Sequence, residues 1–239
     1  ARGHGNSDGS YNGEDYQWGR MAEDMLAVAD WFAASGSHKR YILGGISMGS
    51  ATALEAAVRQ PEQVAGLVLV LPPTAWDTRP RQAAIYRRMA KVSGFFGAAP
   101  YRLLDLLPLP VREDGRNQLT LNTMKGLAKA NPLHVQAALK GAAQSDLPDL
   151  ELLRLLQIPT LILAWEDDTS HPVSTAIELS DTLPDVRELV VCHPGDLSEW
   201  ETALVKFVKE IAAKKRAARR PASGSAAPAK KRKRRVKAA

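Results

Sequence analysis

The stretch LGGISMGSATALEAA, Leu43 to Ala57, sets a serine between glycines where a strand-like run gives way to a helix-like one. Gly45-Ile46-Ser47-Met48-Gly49 fits G-x-S-x-G at that junction. A serine held on so sharp a turn has strained backbone angles, and side chains two residues away on either side are expected to collide. Glycines at 45 and 49 remove the collision and leave Ser47 exposed at the carboxyl end of the strand. The helix that follows offers backbone N–H groups and a positive dipole end to a developing negative charge. The pattern therefore points to a nucleophile elbow. The plainer alternative is a turn of small residues without chemistry.

Outward from this stretch the periods alternate. EDYQWGRMAEDMLAVADWFAASG places Trp18, Met21, Met25, Val28, Ala29 and Phe32 at helical spacing and ends at Gly36. RYILGG is a short apolar run suited to a buried strand, SATALEAAVRQP is helical, and AGLVLVLPP is again strand-like. Further on, PTLILAWEDD is a strand ending in acids, HPVSTAIELSDTLP a helix, RELVVCH a strand, and DLSEWETALVKFVKEIAAKKR a closing amphipathic helix. Strand and helix in alternation predict a mostly parallel sheet flanked by helices. No internal repeat of fixed period is visible.

Charge is placed unevenly along the 239 residues. From Lys214 onward there are twelve Lys/Arg and no acid, which leaves 20 of the 32 basic residues against all 26 acidic ones in 1–213. The body is thus about −6 and the tail about +12. The tail has almost nothing to bury and reads as disordered. Its run Lys230–Arg235 suits weak, salt-sensitive, non-specific binding of a polyanion such as nucleic acid, and carries no aromatic residue to stack on bases. A solubilising extension is the alternative. No window is long and apolar enough to span a membrane. The single cysteine, Cys192, allows no internal disulfide and suits a reducing, cytoplasmic compartment.

With these motifs in place the sequence resembles the α/β-hydrolase fold family over nearly the whole body. RGHGNSDG, Arg2 to Gly9, resembles the RGHGxS loop of esterase and lactonase members. The elbow, its helix and the next strand match the family's central unit, and PTLILAWEDDTSHP is similar to its acid-bearing G-x-x-D-x-x-x-P segment, with Trp165 where glycine is usual. The resemblance divides the chain into a first core part (1–71) with the elbow, a helical cap (72–157), a second core part (158–213) with acid and base, and the basic tail (214–239). The family places three or four strands before the RGHG loop, so the chain is expected to be an N-terminally truncated form that lacks the first strands and one oxyanion donor, and to be poorly active by itself.

The implied activity is that of a serine hydrolase cleaving a carboxylic ester or lactone through an acyl-enzyme, with Ser47 as nucleophile and the backbone N–H of Met48 as oxyanion donor. Among Glu166, Asp167 and Asp168, the spacing to Pro172 favours Asp168 as the acid, with Asp167 next. Of the five histidines, His4 sits in the RGHG loop with an expected structural role. His38 precedes the elbow strand at the edge away from Ser47, and His134 lies in the cap. His171 follows the acid by three residues and is expected to open the next helix. His193 follows the last strand, where the family keeps its base, and is the expected general base. Pro194 and a shortened loop leave His171, or a degenerate site without a base, as alternatives. Phe95, Phe96, Tyr86, Tyr101 and Met124 are candidate cap residues for the pocket, or packing residues of the cap. No metal and no organic cofactor is implied: there is no Cys/His cluster, and Gly3, Gly5 and Gly9 follow no strand that could make them a dinucleotide loop. The competing class is a non-catalytic α/β-hydrolase-like protein that binds a small ligand or a partner.

Overall fold

The computed structural model describes residues 1–36, 40–107, 118–194 and 197–219. Four strands, β1 (Tyr41–Ile46), β2 (Val64–Val70), β3 (Thr160–Trp165) and β4 (Val186–Cys192), pair in parallel in the order β1-β2-β3-β4. Around them, α1 (Trp18–Ser35) precedes the sheet and α2 (Met48–Arg59) joins β1 to β2. Among the described residues, five α-helices separate β2 from β3: α3 (Arg79–Phe96), α4 (Ala99–Leu106), α5 (Gln118–Lys129), α6 (Pro132–Ala143) and α7 (Leu150–Leu153). The helix α8 (Val173–Thr182) joins β3 to β4, and α9 (Ser198–Arg219) follows β4.

The period of two along each strand sorts side chains between two cores. Leu43, Leu67, Leu69, Ile162 and Ala164 face the cluster built with α1, α2 and α8. Their neighbours Val68, Leu161, Leu163 and Val190 face α9 through Ala203, Phe207 and Ile211. With both faces covered, β3 is buried at every residue, which is why it reads as an unbroken apolar run. The helical stripe of α1 is only partly inward: Trp18, Met21 and Ala29 are buried, whereas Val28 and Phe32 are more than half exposed. The basic segment begins inside a helix, since α9 continues to Arg219; residues 220–239 lie outside the described ones. Among the described residues no helix is long and apolar enough to cross a membrane.

A buried cation fastens the inserted helices to the sheet. Arg79, at the start of α3 and 4% exposed, donates to the carbonyls of Ala142 in the last turn of α6 and of Ser145 just past it, and lies 4.3 Å over the Trp18 ring of α1. Burial pushes its pKa down, the neighbouring Tyr86 and Asp146 push it up, and the guanidinium keeps its charge. Within the insertion, α3 packs on α6 and α4 on α5. Tyr101 of the expected pocket residues is buried inside it and bonds Ser93 at 2.8 Å, and Tyr86 lies against Arg79. Phe95 and Phe96 are 85% and 67% exposed, so they line no closed pocket; the Met124 side chain lies outside the described ones.

The elbow between β1 and α2 is tight on one side only. A Cβ on Gly45 would stand 2.7 Å from the Gly49 backbone, whereas a Cβ on Gly49 would meet nothing within 4 Å. The expected collision is therefore real for residue 45 and absent for residue 49. Gly45→Ala is expected to destabilise the fold by about 1–3 kcal/mol, because backbone rather than a movable side chain blocks the new methyl. Gly49→Ala, inside a helix, is expected to be neutral or to add up to about 1 kcal/mol. Urea unfolding of the two variants checks this, and equal losses would refute the one-sided contact.

Candidate active site

The C-terminal edge of the sheet gathers three polar side chains that are far apart in sequence. Ser47 occupies the single residue between β1 and α2, with φ 55° and ψ −114°, outside the regions open to ordinary L-residues. Its backbone is held from both sides: Ser47 N–H donates to Val70 O at 2.9 Å, and the Ser50 N–H and hydroxyl both donate to Ser47 O at 2.9 and 2.6 Å. Strain at such a residue persists only where surrounding bonds over-determine it.

The acid loop after β3 is folded around one carboxylate. Asp168 Oδ1 accepts the backbone N–H of Ser170 at 2.9 Å and of His171 at 3.1 Å. Its Oδ2 lies 2.8 Å from His171 Nδ1 and accepts the Trp165 indole N–H at 3.0 Å. Four donors thus meet the roughly four acceptor positions of a carboxylate. Burial by itself raises the Asp168 pKa. The bond and charge interaction with His171, the Trp165 indole and the Ser170 N–H together outweigh it and hold the carboxyl well below the usual carboxylate range.

These bonds turn the loop back so that His171 Nε2 stands 2.7 Å from Ser47 Oγ. An ionised carboxylate can only accept, so Nδ1 carries the ring proton, Nε2 is the acceptor and the serine hydroxyl donates to it. The side chains of His171 and Asp168 are only 12% and 21% exposed, so water competes little for these bonds. The arrangement can take a proton from Ser47 and return it to a leaving group.

The placement of the base differs from the sequence expectation. His193, the expected base, lies in the exposed stretch just after β4, and it is His171 that reaches Ser47. The reason is local: two backbone N–H groups on Asp168 Oδ1 curl residues 168–171 into a turn, and α8 begins only at Val173, so His171 is free of the helix. The carbonyl of Ser170 also accepts from Thr74 N–H at 3.0 Å, which ties this turn to the exit of β2. The signal was present in the sequence as Asp and His three residues apart before a proline. Asp168 is the acid in contact; Asp167 has positive φ and is exposed, and Glu166 is exposed, its N–H on Cys192 O.

Two of the other described histidines have local partners of their own. His4 Nδ1 lies 2.7 Å from Arg2 O within a loop anchored by the Arg2–Asp24 ion pair, and His134 meets the Tyr11 ring at 5.2 Å. His38 lies outside the described residues. Met48, first residue of α2, directly follows the serine, and the first N–H groups of a helix have no carbonyl one turn back to bond. Met48 and Gly49 also border an apolar cleft of about 390 Å³ reaching under α1 past Met25 and Phe32. Among the described residues no group of three His, Cys, Asp or Glu is placed to hold a metal ion.

Comparison with known proteins agrees with this architecture. A thermophilic esterase from Thermogutta terrifontis is 24% identical, with a TM-score of 0.69 over 88% of this chain and 78% of its own. MenH from S. aureus is 22% identical, at TM-score 0.64 over 88% and 82%. The 2-hydroxy-6-oxo-6-phenylhexa-2,4-dienoate hydrolase of Rhodococcus sp. strain RHA1 is 20% identical, at 0.61 over 88% and 77%. At such identities the likeness is one of fold. No curated protein matches the sequence. The sequence model of the family described as "serine aminopeptidase, S33" matches residues 1–195. Since that match spans 195 of 239 residues, the chain belongs to this family of α/β hydrolases.

Proposed function

We propose that the protein is a serine hydrolase of carboxylic esters or lactones, with Ser47 as nucleophile, His171 as general base and Asp168 as the acid that orients it. The single observation that carries the reading is the unbroken chain from Asp168 Oδ2 through His171 to Ser47 Oγ, at 2.8 and 2.7 Å. In this mechanism Ser47 Oγ attacks the substrate carbonyl while His171 Nε2 takes its proton. The Met48 N–H stabilises the oxyanion, and His171 returns the proton to the leaving alkoxide. Water, deprotonated by the same imidazole, then releases the acyl group from Ser47. Ester cleavage is proposed by analogy with structural neighbours named as esterases, and the same three residues would equally serve the peptide cleavage in the family's description. The cytoplasm is the proposed compartment.

A fluorophosphonate probe tests the assignment directly. The protein is expected to label at Ser47, and Ser47→Ala is expected to abolish labelling and ester turnover. His171→Ala should slow labelling by about 10³-fold or more, as removal of a triad member does, while His193→Ala should leave it within about threefold. A dominant effect of His193 would return the base to the position after β4. Absence of an adduct on the intact protein would favour the non-catalytic binding reading.

Asp168 makes stability depend on pH in a defined direction. In the unfolded chain its carboxyl titrates near the ordinary value of about 4, and in the fold it stays ionised well below that. The bonds to the carboxylate therefore stabilise the fold fully above the unfolded value and lose that contribution as pH falls through it towards the folded one. Urea unfolding at pH 6 and pH 3 is expected to show the gap between wild type and Asp168→Asn closing on acidification. A gap independent of pH would remove the carboxylate charge from the fold's stability.

The basic segment is proposed to act separately from the site. Among the described side chains of α9, Ile211 is the last that is buried, and removal of 214–239 is expected to leave its packing on the sheet in place. Labelling at Ser47 is expected to be unchanged, and retention on heparin at low salt to be lost. Equal retention would put the anion-binding surface on the body.

A further inference from the structure

Trp165 closes β3 at the position where the resembling family usually has glycine, and it touches the acid that the proposed mechanism uses. Its indole N–H donates to Asp168 Oδ2 at 3.0 Å, the same oxygen that holds His171 Nδ1 at 2.8 Å. Its ring is 8% exposed and stacks on Trp200 of α9, with centroids 5.6 Å apart and planes 18° apart. Leu71 and Cys192 close in around it. The indole is thus held by packing from β2, β4 and α9, none of which carries an element of the proposed triad.

We propose that Trp165 is a positioning residue for catalysis: its indole N–H fixes the Asp168 carboxylate, and through it the ring of His171. The inference rests on the reading of Ser47, His171 and Asp168 as the reacting set. The torsion of a carboxylate about its last bond is broad and roughly two-fold, so the side chain alone does not choose an orientation. Backbone N–H groups of Ser170 and His171 pin Oδ1, but both belong to the same turn that carries His171. The Trp165 bond is the one that comes from the rigid sheet. An indole has a donor and no acceptor, so it binds only the oxygen side of the acid and never competes for the proton on His171 Nδ1. Two rotatable bonds, both locked by the stack, make it a stiff reference for the loop. Removing the N–H leaves more carboxylate charge for the imidazolium, which by itself favours reaction. Loss of orientation opposes this and is expected to win, since the acid acts chiefly by holding the imidazole in the right tautomer and direction.

The test uses the intact chain and a fluorophosphonate probe whose reaction with Ser47 is resolved into binding (KI) and inactivation (kinact). Trp165→Phe keeps a ring on Trp200 and deletes the donor. It is expected to lower kinact about tenfold, the scale of one hydrogen bond to a charged group, and to leave KI unchanged. In an Asp168→Asn background the same substitution should cost less than about twofold, because the N–H acts only through the carboxylate. Trp200→Phe, which alters the stack and keeps the donor, should change kinact less than threefold. A second measurement needs no change at Trp165: among the five tryptophan indole signals in ¹H–¹⁵N spectra, that of Trp165 is expected to move upfield in Asp168→Asn. An unaltered kinact in Trp165→Phe, an equal loss in the Asp168→Asn background, or an indole signal indifferent to Asp168 would each overturn the inference alone. Failure of the unsubstituted protein to label at Ser47 would overturn the proposed nucleophile, and this inference with it.

Discussion

The chain must reverse from strand to helix through a single residue, and Ser47 takes that turn at positive φ. Everything else at the sheet's upper edge follows from keeping it there. Ser47 N–H is pinned by the neighbouring strand at Val70, and its carbonyl by Ser50 at the start of the next helix, while Gly45 lets the helix backbone come within contact of the strand. A turn of this kind cannot relax locally without breaking either the sheet register or the first turn of α2. Its consequence is a hydroxyl aimed away from the sheet, at the edge where loops from β2 and β3 also emerge.

The second constraint is electrostatic. A half-buried carboxylate is costly unless each acceptor position is met. Asp168 is supplied by two backbone N–H groups of its own loop, one imidazole and one indole. This demand shapes the loop: the backbone donors come from residues two and three positions on, so meeting them curls the chain and carries His171 over Ser47. The acid thus determines where the base stands, and both lie on one turn between β3 and α8. In the proposed mechanism acid and base share one turn, and the connection after β4 is given no catalytic duty.

Anchoring of the inserted helices is a further, independent matter. Arg79 links α1, the exit of β2 and the end of α6 through carbonyl bonds and a cation–π contact, with its charge shielded from solvent. A buried guanidinium needs several partners placed in a fork, and these come from segments up to 66 residues away. Such a contact is invisible in the sequence, where Arg79 is one of several cations on a helix read as part of the cap.

The sequence alone determined the alternation of strands and helices and the parallel sheet, and it singled out the turn at Ser47 and the carboxylate of Asp168. Each of these follows from local spacing: a period of two or 3.6, a glycine beside a strained residue, an acid four positions before a proline. Which histidine reaches Ser47 was beyond it. His171 follows the acid loop after β3 and His193 follows β4, and the family resemblance favoured the one after β4. Their difference arises only once Asp168 has gathered its donors and bent its loop, since a hydrogen-bonded turn of four residues moves a side chain farther than any periodicity reveals. The same holds for Trp165, which the sequence shows only as an apolar strand end standing where the resembling family usually has glycine. Its N–H gains a role only where the tertiary fold sets Trp200 behind it and a carboxylate in front.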